Sequence, residues 1–409
     1  MVKDINYLFK VVMSFLITCF IIGLLCDPLG SQLNVFFLKT DNLLADFYNI
    51  MIWIADKDPY YNTYGAAAAK SYFPLSYLIL MIFSGFENYS GLCLKEVYSS
   101  TTATISCMIY TLGSIFLYFH SLTRIVKCNT YTLLIISLSS VFLFTIERGN
   151  LIMIAAAFSF YFLAYKDSNS FWLRRFSLFS LCVASVLKIY PVVLGLFLLK
   201  DKRYKDVVIC VVLSLLLIFI PFVAFERGFN NIPKFIDNVI EAGVSSEFNE
   251  SPRYGLFVLS VIGCRFLGIL DSSFFYVISI LTKLMVWFFS GLSIFFFFYE
   301  KEFWKRLALI TMLIVYLPQV NFFYCGIYFM PFILLFLSEN PKWTHQNLIY
   351  MLLICIFLNP FQILFHGWTI SWMLSNVAMM LFWLLLLVNV YWSWRDDCKK
   401  RTKTSNELM

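Results

Sequence analysis

Asp46 is the residue whose type and surroundings are best suited to chemistry. It lies in the stretch Ala45–Trp53, where apolar and aromatic side chains recur at helical spacing. This pattern predicts an amphipathic helix on the membrane surface that holds one carboxylate among apolar neighbours. Such a carboxylate is suited to take a proton from a sugar hydroxyl as a general base. The alternative is an ordinary aspartate on the solvated face of the helix.

Five aspartates occupy the first long hydrophilic segment, so the choice among them rests on the surroundings of each. Asp27 and Asp58 each stand directly before a proline, the first at the end of an apolar run and the second at a turn. Asp41 is placed to cap the helix that carries Asp46. Asp56 is next to a lysine, with which it can pair in water. Asp46 alone lies inside the amphipathic stretch.

Two basic residues at the ends of apolar runs are candidates for binding an anion. Arg148 lies in the segment Glu147–Asn150, where its planar guanidinium suits a phosphate and Gly149 allows close approach of the backbone. The alternative is a tight turn with capping residues. Lys188 lies between two apolar stretches, just before Pro191, and such a lysine is costly unless it is paired or in contact with water. The alternative is that its side chain extends to the aqueous interface.

Three further basic residues lie in the second half of the chain. Arg253 and Arg265 are additional candidates for phosphate binding, because both lie in a long loop between apolar runs. Lys283 falls inside an apolar run, where a charged side chain has a high free-energy cost. We therefore predict that Lys283 has a buried partner, which the sequence does not identify.

The composition indicates what kind of protein must position these residues. Of the 409 residues, 61% are hydrophobic and 13% are charged, and the mean hydropathy is +0.79. A soluble domain of this length could not bury so much apolar surface, and many apolar runs approach the ~18 residues that span a bilayer. We therefore predict an all-α, polytopic transmembrane helical bundle and exclude a soluble globular protein.

About twelve apolar runs are predicted to cross the membrane, within a single transmembrane domain over residues 1–409. The first run ends in Cys26-Asp27-Pro28 rather than in small residues, so we expect an uncleaved helix and not a signal peptide. The runs Phe73–Phe83 and Leu256–Leu270 are expected to be re-entrant or interfacial. The expected spans are 8–26, 95–119, 129–146, 151–165, 175–187, 189–200, 205–224, 274–299, 307–322, 326–338, 347–364 and 371–393.

The distribution of basic residues predicts the orientation of the chain. The formal net charge is +7, and 20 of the 31 Lys and Arg residues fall in one set of loops. The positive-inside rule places these loops and both termini in the cytoplasm. The loops 27–94 and 225–273 are then extracytoplasmic, and the first would be the catalytic loop. We expect a multi-pass protein of a bacterial inner membrane, in contact with membrane lipids and with no nucleic-acid partner.

Cysteine and histidine give no sign of a metal site. The eleven cysteines lie mostly within apolar runs and form no CxxC pair, and the three histidines are far apart. We interpret the cysteines as small core residues and predict no metal site built from histidine or cysteine. A metal ion bound by Asp46 and a neighbouring carboxylate stays open as an alternative at this point.

Several motifs along residues 8–340 have counterparts in one protein family. The most specific is Leu187-Lys188-Ile189-Tyr190-Pro191, which precedes a basic loop. The others are Ala45-Asp46-Phe47-Tyr48, Asp58-Pro59-Tyr60, Tyr72-Phe73-Pro74-Leu75, Arg148-Gly149-Asn150, Asn249-Glu250-Ser251, Leu317-Pro318 and Asn321-Phe322-Phe323-Tyr324. Together they resemble the GT-C class of integral membrane glycosyltransferases, nearest to the polyprenyl-phosphate-dependent mannosyltransferases typified by mycobacterial enzymes that extend phosphatidylinositol mannosides.

This resemblance implies a GT-C-like helical bundle and a specific reaction. A hexose would pass, with inversion, from a polyprenyl-phosphate donor to a lipid or glycan acceptor, without a cofactor or an obligatory metal. It implies that Asp46 is the catalytic base. The residues implied to bind the donor phosphate are Arg148, Lys188 and Arg253. The residues implied to bind substrate are Tyr48, Asn150, Tyr190, Asn249, Asn321 and Tyr324.

Two other classes of function stay open at this point. A polymerase or ligase of O-antigen type also uses polyprenyl-linked glycans, and arginine-rich outer loops would favour it. A transporter or flippase of lipid-linked sugars would show paired broken helices and polar residues near the membrane midplane. In this sequence the polar residues cluster near one face, which favours the glycosyltransferase.

Overall fold

The fold is known from a computed structural model. It describes residues 4–26, 32, 43–55, 57–64, 69–84, 87–245, 252–269, 273–318, 321–339, 342–365 and 368–407. Asp27, Asp41, Asp56 and Asn249 lie outside these ranges. The structure is 80% helical, and its described residues form 18 α-helices.

The first half of the chain contains eleven α-helices. They are α1 (Ile5–Cys26), α2 (Ala45–Ile54), α3 (Pro74–Ser84), α4 (Leu94–Tyr98), α5 (Thr101–Ile125), α6 (Thr130–Ser137), α7 (Ser140–Arg148), α8 (Ile152–Tyr165), α9 (Phe171–Leu187), α10 (Leu196–Lys200) and α11 (Tyr204–Phe219). Short 3-10 helices lie at Tyr190–Gly195, Ile220–Ala224 and Gly228–Asn230.

The second half adds seven α-helices and two pairs of very short strands. The helices are α12 (Asn231–Ser245), α13 (Leu256–Phe266), α14 (Ser273–Tyr299), α15 (Phe303–Tyr316), α16 (Met330–Ser338), α17 (His345–Leu358) and α18 (Ile370–Glu407). The strands are β1 (Arg253–Tyr254), β2 (Asn321–Phe322), β3 (Leu364–Phe365) and β4 (Trp368–Thr369). A 3-10 helix, Phe323–Phe329, precedes α16.

Each of the twelve predicted spans overlaps a helix or a helix pair, and the lengths of these helices differ. Within the described residues, five segments are long and apolar enough to cross a membrane: Ile5–Cys26, Thr101–Ile125, Tyr204–Ala224, Phe274–Tyr299 and Ile370–Lys400. Helices α6 and α7 pass the same test as one span that is bent by 60°. The other expected spans form shorter helices, of which α9 has 17 residues. The chain is thus an all-α membrane protein, and the twelve crossings stay a prediction.

The core surrounds α8, which is buried on nearly every side. Its three consecutive alanines, Ala155–Ala157, are fully buried, and such small side chains let neighbouring helices approach closely. Helices α5 and α9 pack on α8 as a result. The 3-10 helix Phe323–Phe329 lies in the same core and is buried along its whole length.

Two segments that are distant in sequence meet through the small antiparallel pair of β1 and β2. In this pair Arg253 lies opposite Phe322, and Tyr254 lies opposite Asn321. The pairing continues into the core, where a Cβ placed on Gly326 would lie 2.5 Å from the Tyr254 hydroxyl oxygen. Because of this close packing, the position of Arg253 is tied to the segment that carries Tyr324.

Helix α2 exists as predicted, but its environment differs from the prediction. Every residue of α2 except Asp46 and Asn49 is buried, because α3, α4 and α5 pack around it. A helix lying on a membrane surface would expose one apolar face to lipid, whereas α2 is enclosed by protein. The N-cap of α2 is Leu44 and not Asp41, so the predicted cap was wrong. Leu44 has a left-handed backbone conformation, and its amide donates to the Glu147 carbonyl at 2.7 Å.

Candidate active site

The Asp46 carboxylate is held by two donors from one turn of the chain. Arg148 donates to Oδ1, and the Asn150 amide nitrogen donates to Oδ2 at 2.8 Å. About 17% of the Asp46 side chain is exposed, so the carboxylate is accessible from one side. An ionised carboxylate has about four acceptor positions, which leaves room for a hydroxyl group as a further donor.

The turn from α7 to α8 places both donors, and glycine makes this turn possible. Gly149 has φ 61, the left-handed region that ends many helices and favours glycine. A Cβ at this position would lie 3.2 Å from both Leu44 Cδ2 and Phe47 Cβ. The turn therefore touches the first residues of α2, and this contact brings Arg148 to Asp46.

Asn150 links the carboxylate to two tyrosines. Its side-chain nitrogen lies 3.0 Å from the Tyr72 hydroxyl and 3.4 Å from the Tyr324 hydroxyl. Its side-chain oxygen accepts the Ile152 amide at 3.0 Å, which fixes the side chain at the start of α8. Four segments far apart in sequence converge here, so the site is a product of the tertiary fold.

Lys188 reaches the same two tyrosines from the end of α9. Its ammonium nitrogen lies 4.5 Å from the centroid of the Tyr72 ring and 6.0 Å from that of the Tyr324 ring. Among the described residues, no carboxylate lies within 4 Å of this nitrogen, and no hydrogen bond of the ammonium group is found. Aromatic faces attract a cation but do not neutralise it. Lys188 is therefore a cation in position to bind an anionic ligand.

Arg253 joins the site through a stack of aromatic rings. Its guanidinium lies 5.3 Å from the centroid of the Phe322 ring, which stacks on Tyr324 at 5.5 Å. Burial lowers the pKa of the Arg253 guanidinium, which still stays charged near neutral pH. Tyr190, two residues after Lys188, is half-buried and interacts electrostatically with Lys188 and Tyr72.

Two predicted substrate-binding residues do not join this cluster. Tyr48 points away from Asp46, because two residues correspond to roughly 200° around a helix. Its ring packs edge-on against Tyr98 at 4.8 Å, and its hydroxyl faces Cys107 on α5. Asn321 is fully buried and donates to the carbonyls of Ile314 and Val315 at 3.0 and 2.9 Å, so it caps the end of α15.

The remaining sequence-based candidates divide into those outside the site and those outside the described ranges. Lys283 lies with its ammonium nitrogen 5.2 Å from the Phe257 ring centroid, so α13 supplies the aromatic partner. Arg265 lies in the last turn of α13 and is exposed. Asn249 lies outside the described residues. The part of the chain that the structure describes holds no group of three His, Cys, Asp or Glu residues that could bind a metal ion.

Sequence reasoning overlooked two residues of the cluster. Tyr72 belongs to the Tyr-Phe-Pro-Leu motif quoted above, yet only the structure shows that its hydroxyl meets Asn150. Glu147 is fully buried next to Arg148, and neither of its carboxyl oxygens has a hydrogen-bond partner within the described residues. Its position beside Arg148 was visible in the sequence, but its burial was not.

Comparison with known proteins adds no relative. A scan against protein-family models and searches of curated proteins and solved structures found no match to this chain. The function of this chain must therefore be inferred from the site itself.

Proposed function

We propose that this protein is a glycosyltransferase of the GT-C type. It transfers a hexose from a polyprenyl-phosphate sugar to a lipid or glycan acceptor at the extracytoplasmic face of the membrane. The observation that carries the proposal is the meeting of a fixed carboxylate, Asp46, with an unneutralised cation, Lys188, around Asn150 and two tyrosines. A base and an anion-binding cation are the two groups that such a transfer needs.

Asp46 acts as the general base in this proposal. Arg148 and Asn150 hold its two oxygens in place, so the carboxylate does not need to reorganise when the acceptor binds. Arg148 was predicted from sequence to bind the donor phosphate. Because it pairs with Asp46, we now assign it first to positioning the base, and its remaining N–H groups stay available to a ligand.

Lys188 binds the phosphate of the donor, and Arg253 adds positive charge behind the aromatic stack. The site lies between the buried Tyr324 and the half-buried Tyr72 and Tyr190, where electrostatic interactions are stronger than in water. The leaving group of the reaction is a polyprenyl phosphate, so negative charge grows on its oxygen as the bond to the sugar breaks. A fixed ammonium group next to that oxygen stabilises the transition state more than the ground state.

The transfer is a single displacement at the anomeric carbon of the sugar. The acceptor hydroxyl oxygen forms a bond to this carbon while its proton passes to Asp46. The bond from the anomeric carbon to the phosphate oxygen breaks, and its electron pair leaves with the phosphate. The two changes occur on opposite faces of the sugar, so the configuration is inverted. No oxidant, reductant or metal is needed to balance the step.

A donor panel tests the proposal directly. The purified protein is reconstituted in vesicles with radiolabelled polyprenyl-phosphate mannose, glucose or galactose and with a lipid extract as the acceptor. We expect one of these donors to lose its label to an acceptor in the presence of the wild-type protein and not of the Asp46→Asn variant. The matched control is Asp237→Asn, which removes an exposed carboxylate on α12 and should transfer at the wild-type rate.

The same assay separates the proposal from the two other classes. A polymerase or ligase would ignore all monosaccharide phosphates and would consume an oligosaccharide linked through pyrophosphate. A flippase would move the labelled donor between leaflets without breaking the sugar–phosphate bond, so intact donor would be recovered. Either result would replace the glycosyltransferase proposal.

A further inference from the structure

A groove lined by basic residues lies at the other end of α9 from Lys188. It encloses about 540 Å³ between the first turn of α9 and the loop that enters α11. Its charged lining consists of Arg174, Arg175, Lys202, Arg203, Lys205 and Asp206. Arg174 and Lys188 are fourteen positions apart on or at the end of one helix, which corresponds to about 20 Å along its axis. The groove is therefore separate from the candidate active site.

The charges of this groove do not balance. Asp206 is its single carboxylate, and it pairs with Arg203 at 2.8 Å and with Arg175 at 3.4 Å. Arg174, Lys202 and Lys205 are exposed, and within the described residues none of them forms an ion pair. Three cations thus remain around one concave surface, which favours a ligand with negative charge.

The position of the groove along the chain places it at the surface of the bilayer. Lys205 lies in the first turn of α11, and this helix begins the apolar segment Tyr204–Ala224, the most apolar of the five long spans. Trp172, at the start of α9, is 79% exposed, and Tyr204 is 61% exposed. Exposed Trp and Tyr at the ends of apolar helices are typical of the headgroup level of a membrane.

We propose that this groove binds the headgroup of an anionic phospholipid. The three cations contact the phosphate and the net negative charge of the headgroup. The acyl chains lie along α11, whose side chains Val208, Val211 and Val212 are all more than half exposed. A free phosphate would meet the same cations but would gain nothing from this apolar surface, and that difference distinguishes the two sources of the anion. The proposal does not depend on the glycosyltransferase activity.

Lipid-dependent thermal unfolding of the purified full-length protein in a zwitterionic detergent tests the proposal. The probes are dihexanoylphosphatidylglycerol, dihexanoylphosphatidylcholine and inorganic phosphate, each titrated separately. We expect phosphatidylglycerol alone to raise the unfolding temperature in a saturable manner. Since each cation near a membrane surface contributes roughly fivefold in affinity, the variant Arg174→Gln/Lys202→Gln/Lys205→Gln should bind this lipid on the order of 100-fold more weakly.

The matched control is Lys127→Gln/Lys342→Gln/Lys399→Gln, which removes three exposed cations elsewhere and should bind like the wild type. Native mass spectrometry of lipid adducts gives a second readout that does not depend on unfolding. An equal response to phosphatidylcholine, or an equal response to phosphate alone, would overturn the proposal. So would unchanged phosphatidylglycerol binding by the groove variant, or equal loss of binding by the control variant.

Discussion

The guanidinium of Arg148 donates a hydrogen bond to the carboxylate of Asp46, although 102 positions separate the two residues. The pair exists because the turn at Gly149 touches the first residues of α2. A carboxylate that is held in this way is oriented before any ligand binds. The consequences of the proposed activity can therefore be tested at Asp46, at its neighbouring cation and at the turn that holds them together.

Replacing Asp46 by Asn should abolish most transfer without unfolding the protein. The amide keeps the size of the side chain and can still accept from Arg148, but it cannot take a proton. Loss of a general base typically lowers a rate by about 10²–10⁴-fold, so kcat should fall by that factor. Donor binding should change little, because in the proposed mechanism the carboxylate contacts the acceptor and not the donor. Normal turnover of a folded Asp46→Asn enzyme would remove Asp46 from the mechanism.

Replacing Lys188 by Ala should weaken use of the donor. A hydrogen bond to a charged group contributes about 1.5–3 kcal/mol, so kcat/KM for the donor should fall by roughly 10- to 150-fold. Lys188→Arg keeps the charge and should recover part of the loss. Initial rates over a range of donor concentrations provide the measurement, and Lys95→Ala, at an exposed lysine of α4, is the control. If Lys188→Ala and Lys95→Ala behave alike, the phosphate binds elsewhere.

Replacing Gly149 by Ala should damage both stability and activity. The left-handed conformation costs a residue with a Cβ about 1–2 kcal/mol, and the new methyl group would press on Leu44 and Phe47. Helix α2 must then shift, which moves Asp46 relative to Asn150. Thermal unfolding and transfer assays measure the two effects.

Gly113→Ala is the matched control for Gly149→Ala. It lies within α5, and a Cβ there meets no atom within 4 Å, so alanine should stabilise the helix by about 0.5–1 kcal/mol. If Gly149→Ala and Gly113→Ala are both as stable and as active as the wild type, the turn at Gly149 does not position Asp46.

Replacing Lys200 by Met should destabilise the protein without affecting the active site directly. The Lys200 ammonium donates to the carbonyls of Phe297, Phe298 and Glu300 at 2.9, 2.6 and 3.2 Å, so it caps the end of α14. Methionine has a similar length but no donor, and we expect a loss of about 1–3 kcal/mol. Thermal unfolding should show a lower midpoint for Lys200→Met than for Lys127→Met. Equal midpoints would mean that water replaces the lysine at these carbonyls.

Sequence reasoning located the helices well because apolar runs and their polar ends are local features. It placed α8 at 151–165, and the helix covers Ile152–Tyr165. It could not tell which helices cross the membrane completely, since α15 and the second half of α9 are buried within the bundle and need not be long. It also assigned one exposed face to α2, because sequence periodicity does not show that other helices cover that face.

The candidate site was predictable residue by residue but not as an arrangement. Asp46, Asn150, Lys188 and Tyr324 were each named from sequence, and the structure brings them together. Tyr48 was expected to join them because the motif Ala45-Asp46-Phe47-Tyr48 resembles the catalytic loop of the GT-C family, yet helical geometry turns it to the opposite side. The partners of these side chains come from segments about 100 residues away, and local patterns carry no information about such contacts.

The last helix, α18, extends far beyond the thickness of a membrane. Its 38 residues correspond to about 57 Å, whereas the hydrocarbon core of a bilayer is about 30 Å thick. From Arg395 onward the sequence is rich in charged residues, so the last thirteen residues of the helix would form a rod of about 20 Å in water. A fluorophore attached beyond Glu407 would consequently stand at a fixed height above the lipid. Energy transfer to a membrane dye would then measure that height and report the side on which the rod emerges.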